Sequence, residues 1–78
     1  MERSELLSSV QKHLSDIGIE GEMNESAHLV NDLGCDSLDA MDLINRLEQG
    51  HNVTITDDEG EKCETIKDVL DLLSDKVK

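Results

Sequence analysis

Apolar residues recur at helical spacing in three stretches of this chain. In "SELLSSVQKHLSDIG", Leu6, Leu7, Val10, Leu14 and Ile17 stand three, four and seven positions apart, which places them on one face of a helix. Gly18 follows as a stop signal. Residues 37–49 plotted at about 100° per residue put Ala40, Leu43, Ile44 and Leu47 on a core side. Asp39, Asp42, Asn45, Arg46 and Gln49 form a polar arc opposite, with Leu38 inside it and Met41 at its edge near Glu48. In the last stretch Ile66, Val69, Leu70, Leu73 and Val77 make one apolar stripe.

The punctuation between these stretches sets their ends. Asp36 or Ser37 suits the N-cap of the second helix and Gly50 its stop. "TDDE" at 56–59 fits a capping box, Thr56 as cap and Glu59 reaching back, so a short helix is expected there. Thr65 opens the last helix. His51, Val53 and Ile55 alternate, but a lone strand has nothing to pair with, so this segment reads as an extended link. Residues 18–36 form a long connection containing Gly18, Gly21 and Gly34, from which Ala27, Leu29, Val30 and Leu33 are expected to tuck inward. Loops of this length in small domains often carry function. The expected architecture is all-α: a small four-helix bundle of three longer helices and one short helix, with a long first loop, in a single domain over residues 1–78.

With 78 residues and no Phe, Tyr or Trp, the core must be built from Leu, Ile, Val, Met and Ala. Such a core holds a fold together but hardly frames a deep catalytic cavity. The 19 Asp and Glu against 7 Lys and Arg leave a formal charge of −12. That argues against nucleic acid and anionic membrane surfaces, which need basic patches, and favours a basic protein partner. No apolar run approaches the ~20 residues of a membrane span, and the N-terminus has no apolar signal core. Two cysteines do not make a secreted disulfide scaffold. A cytoplasmic monomer is expected.

Several chemistries fail on spacing. Taking Gly60 as the glycine of a calcium loop puts Ile55 and Ile66 at ligand positions, and Gly34 and Gly50 fail similarly. Cys35, Cys63, His13, His28 and His51 lack zinc spacing. "LGCDSL" lacks the second glycine of a nucleophile elbow. Cys35 stands near a helix start, which favours thiolate, but Asp36 beside it opposes that charge; Cys63 reads as a core cysteine. Ser37 remains. Alone it reads as a first-turn serine, but it adjoins an exposed leucine flanked by carboxylates, the composition of a docking spot with one apolar anchor and steering charges.

The string Gly34-Cys35-Asp36-Ser37-Leu38 resembles the D-S-L signature of acyl carrier proteins. The similarity continues through "LGCDSLDAMDLINRLEQ" and "ITDDEGEK" into the final helix, and length, acidity and helix order agree with it. The resemblance implies no enzyme but a carrier: a 4′-phosphopantetheine arm on Ser37 whose thiol holds acyl groups as thioesters, in fatty-acid, lipid or polyketide-type biosynthesis. It implies a phosphopantetheinyl transferase and basic-patched acyl-transferring or synthase enzymes as partners, docking on Asp36, Leu38, Asp39, Met41, Asp42 and Glu48. It also implies an acyl pocket walled by Leu47, His51, Ile55, Cys63, Ile66 and Leu70. The chain departs from the family pattern at His51 (usually phenylalanine), Cys63 (isoleucine), Thr56 (often proline), Asn45 (often apolar) and Arg46, an added cation on the docking helix. These departures suggest a specialised carrier. A peptidyl or D-alanyl carrier using the same serine, or an acidic interaction module without a prosthetic group, are the alternatives.

Charge generates the first prediction. Residues 36–64 hold nine carboxylates against Arg46 and Lys62, a formal −7, and such self-repulsion destabilises the compact state. Moderate salt or Mg²⁺ is expected to raise the melting temperature. Scanning calorimetry checks this, and identical transitions at low and moderate salt, with and without Mg²⁺, would show that repulsion is not limiting.

Overall fold

The computed structural model describes residues 2–77. Four helices follow one another: α1 (Arg3–Asp16), α2 (Ser37–His51), α3 (Asp57–Glu61) and α4 (Ile66–Lys76). No strand occurs among the described residues; a single antiparallel bridge joins His28 to Thr65. The all-α bundle of three longer helices and one short helix is therefore the observed fold, and α1 packs on both α2 and α4.

The core is aliphatic. Leu6, Val10 and Leu14 of α1, Leu43 and Leu47 of α2, and Ile66, Val69, Leu70 and Leu73 of α4 are all but sealed from solvent. Each stripe is narrower than its sequence pattern. Leu7, Ile17 and Val77 sit half-buried at the edges, because the buried faces are set by two neighbouring helices rather than by a full shell. On α2, Ala40 and Ile44 are likewise half-buried rather than core, since α3 covers that side with only five residues.

Three of the four helix starts are held by reciprocal caps. Asp36 Oδ1 accepts from the Asp39 N–H at 2.8 Å, and Asp39 Oδ2 accepts from the Asp36 N–H at 3.2 Å. Thr56 with Glu59 and Thr65 with Asp68 repeat the arrangement. Each box satisfies donors that a helix start leaves orphaned. The cap of α2 is thus Asp36, which makes Ser37 the first residue inside the helix. The helix also runs past the expected stop at Gly50. It ends after His51, where Asn52 takes the left-handed conformation (φ 55°). Asparagine tolerates that region, and Gly50 stays helical because its missing side chain leaves room for the His13 ring: a Cβ there would lie 3.3 Å from His13 Nε2.

The first loop is stitched down. Leu29 N–H donates to the Glu64 carbonyl (2.8 Å), Ile66 N–H to Ala27 (3.1 Å) and Lys67 N–H to Glu25 (2.9 Å). These bonds bury Ala27, Leu29, Leu33 and Cys35. Between Leu29 and Leu33 the chain closes a tight turn, with the Asp32 and Leu33 N–H groups on the His28 carbonyl and the Val30 and Asn31 N–H groups on His28 Nδ1. That turn points Leu29 and Leu33 inward and throws Val30 outward, 57% exposed, against the expectation that it tucks in.

Candidate functional site

Ser37 is exposed at the first position of α2, and among the described residues its hydroxyl has no hydrogen-bond partner. It is not needed as a cap, since Asp36 performs that task. Its place at the start of a 15-residue helix sets it where free N–H groups and the helix dipole favour an anion. Beside it opens a groove of about 540 Å³. Its walls are Val30 and Cys35 from the first loop, Ala40, Met41, Ile44 and Asn45 from α2, and Gly60 and Cys63 from α3 and the turn after it. Asp36, Glu48, Asp57 and Glu61 also border it.

Of the expected docking residues, Asp36, Leu38, Met41 and Asp42 are exposed, and Asp39 and Glu48 are half-buried. Leu38 is 72% and Met41 61% exposed, unusual values for large apolar side chains. Asp42 is paired with Arg46, Nε to Oδ1 at 3.0 Å. Asp36 and Asp39 are committed to each other's backbone N–H groups, a structural role that the charge pattern did not reveal. Glu48 borders the groove.

The expected acyl-pocket residues do not come together on this groove. Only Cys63 lines it. Leu47, Ile66 and Leu70 have no exposure and Ile55 has 5%; they pack in the core behind the groove wall. His51 lies elsewhere, on the seam with α1, its Nε2 2.8 Å from Ser9 Oγ. The register of α2 explains this. His51 is four residues beyond the core position Leu47, so it follows the face that packs on α1. Sequence reasoning missed Val30, Ala40, Ile44, Asn45 and Gly60 as groove residues, because half-burial of Ala40, Ile44 and Gly60 at helix edges and exposure of Val30 and Asn45 leave no mark in the apolar period.

Neither thiol is poised to react. Burial, then Asp39 and Asp36, push the Cys35 thiol above its ordinary value. Burial, then Asp68 and Glu59, push Cys63 up to about 11. Both stay protonated at neutral pH, and among the described residues no group of three or more metal-ligating side chains exists. No described helix is long and apolar enough to cross a membrane.

His51 generates a prediction here. Burial and the neighbouring His13 lower its pKa below the usual 6.5. The unfolded chain then binds a proton that the folded chain resists, so this contribution to stability is present above about pH 6.5 and shrinks as pH falls toward the lowered value. Replacing His51 by Gln removes that dependence. Melting temperatures of the two proteins between about pH 7.5 and 5.5 are expected to converge, or cross, as pH falls; a constant gap would show that His51 titrates normally.

The comparisons with known proteins agree with this geometry. Residues 8–73 match the phosphopantetheine attachment site family. An acyl carrier protein of Thermosynechococcus vestitus is 39% identical over 99% of this chain and 98% of its own length. One from Guillardia theta is 33% identical over the same shares. A solved structure described as an acyl carrier protein of Mycobacterium tuberculosis superposes with a TM-score of 0.75 at 25% identity, covering 92% of this chain and 93% of that one. Members of this family are acyl carriers, not enzymes, and bear a covalent phosphopantetheine group. An exposed serine at a helix start, a groove beside it and matches over nearly the whole length converge: the chain belongs to the acyl carrier protein family.

Proposed function

We propose that this protein carries acyl groups as thioesters on a 4′-phosphopantetheine attached to Ser37, as a specialised cytoplasmic, monomeric carrier in fatty-acid, lipid or polyketide-type biosynthesis. The observation that supports it most is the free, exposed Ser37 hydroxyl at the start of α2, beside a largely apolar groove. The residues fit the group. Ser37 Oγ offers the attachment point, the first turn of α2 favours the phosphodiester anion, and Ala40, Met41, Ile44 and Cys63 offer apolar surface to the arm and its cargo. When bound, the arm supplies a thiol that holds acyl groups. The chain itself presents the serine, shelters part of the cargo and offers Leu38 and Met41, with the carboxylates of Asp36 and Glu48 on the same helix and its cap, to a basic transferase or synthase. Exposed charges of this kind act mainly on association rate and are screened within about 8 Å at physiological salt.

The groove also bears on the cargo. It is open rather than enclosed, Gly60 forms part of its wall where a Cβ would meet Ile44 at ordinary contact distance (3.5 Å), and Asn45 and the Cys63 thiol make that wall partly polar. A long saturated chain would have to part Leu47, Ile66 and Leu70, which have no exposure, or forgo about 0.8 kcal/mol for each CH₂ left in water. A short, branched or polar acyl group suits this site.

Two measurements test these statements. With coenzyme A, Mg²⁺ and a phosphopantetheinyl transferase, the wild type is expected to gain the mass of one phosphopantetheine. Ser37→Ala is expected to gain none while melting close to the wild type, because Asp36 rather than Ser37 caps α2. Loading of the alanine variant would overturn the attachment site. On loading acyl chains of increasing length, amide shifts are expected at Ala40, Ile44, Gly60 and Cys63 and to level off early. Shifts at Leu47, Ile66 and Leu70 that keep growing with length would overturn the cargo reading.

A further inference from the structure

The ion pairs made by Arg3, Lys76 and Arg46 differ in kind. Arg3 ties α1 to Glu25 in the first loop (2.8 Å) and to Asp71 on α4 (3.0 Å). Lys76 at the end of α4 reaches Glu59 on α3 (2.9 Å). Both join segments far apart in sequence. Arg46 joins nothing distant: its Nε donates to Asp42 Oδ1 one turn back on the same helix. Exposed pairs of that spacing contribute little to stability, so the consequence of Arg46 falls on the field that α2 shows to solvent.

That field is lopsided. Glu48 borders the groove, as Met41 does two turns earlier, and has no cation partner among the described residues. Asp42 and Arg46 do not border the groove and cancel each other. Asp36 and Asp39 each place one oxygen on the helix cap, and neither has a cation partner among the described residues. The carboxylates at the cap and on the body of α2 that border the groove are Asp36 and Glu48, with Asp57 and Glu61 across it, and the exposed Met41 borders the same groove.

We propose that Arg46 is a specificity-determining residue of the docking face: it cancels Asp42 on the side away from the groove, so that the partner selected is a protein whose basic residues meet α2 on the groove side and whose surface opposite Arg46 is neutral or acidic. This rests on the reading of α2 as the docking helix. A partner with a uniformly basic face meets like charge at Arg46 and docks more slowly than the carboxylates alone would allow.

The test uses a phosphopantetheinyl transferase with a uniformly basic docking face, coenzyme A and Mg²⁺, and follows loading at low and high salt. Arg46→Gln is expected to raise kcat/KM about threefold at low ionic strength, through KM, and the gain is expected to vanish at high salt. Arg46→Lys, which keeps the charge, gains less. Lys67→Gln on α4, the same change of net charge on another helix, also gains less. No gain from Arg46→Gln, or an equal gain from Lys67→Gln, overturns the inference. Glu48→Lys serves as the arm for the docking reading itself: it is expected to slow loading severalfold, and an unaltered rate would overturn that reading and the inference with it.

Discussion

The backbone hydrogen bonds between the first loop and the entrance to α4 fix everything that matters at the site. Leu29 N–H on Glu64, Ile66 N–H on Ala27 and Lys67 N–H on Glu25 tie the loop to the start of a helix whose apolar face is already buried. With residues 25–29 anchored there, Leu33 and Cys35 reach the core, and Asp36 arrives in extended conformation ready to cap α2. Without this tie the loop would lose its inward side chains, and both the position of Ser37 and the near wall of the groove would be undefined.

A second consequence concerns charge. The chain is strongly acidic, yet several of its carboxylates hold the fold before any partner arrives. Asp36, Asp39, Glu59 and Asp68 each accept from backbone N–H groups at helix starts. Those bonds lower the pKa of Asp68, and that of Glu59 together with Lys76. Acidity in this protein therefore has two roles that a charge count merges: it starts helices, and it colours the surface of α2. Arg46 belongs to the second role only.

The division of labour in the family is consistent with size. A core of aliphatic side chains in a domain this short leaves no room for a walled active site. It can offer a rigid helix start bearing one hydroxyl, an apolar groove at the edge of the core, and a face for other proteins to read. Both thiols near that groove are held in their protonated form, so neither offers a thiolate beside it.

Local signals along the chain were enough for the all-α class, the number and order of helices, the short third helix from its Thr56 and Glu59 cap, and the resemblance carried by Asp36-Ser37-Leu38. Periodicity, caps and a short motif all lie within a few residues of one another. The same signals marked Leu38 and Met41 as exposed, because a single helix wheel sorts inside from outside. Where α2 ends was a matter of packing between helices, since Gly50 stays helical to make room for the His13 ring of α1. Val30 faces out because a turn closed by His28 sets that side chain's direction, and no pattern of apolar residues reports such a turn. Packing also separated the groove of Ala40, Ile44, Asn45, Gly60 and Cys63 from the sealed set of Leu47, Ile55, Ile66 and Leu70. Periodicity reports which residues are apolar on one helix; whether such a residue is sealed or lines an opening depends on how far the neighbouring element reaches. Here that element is α3, five residues long, too short to cover α2 to its end.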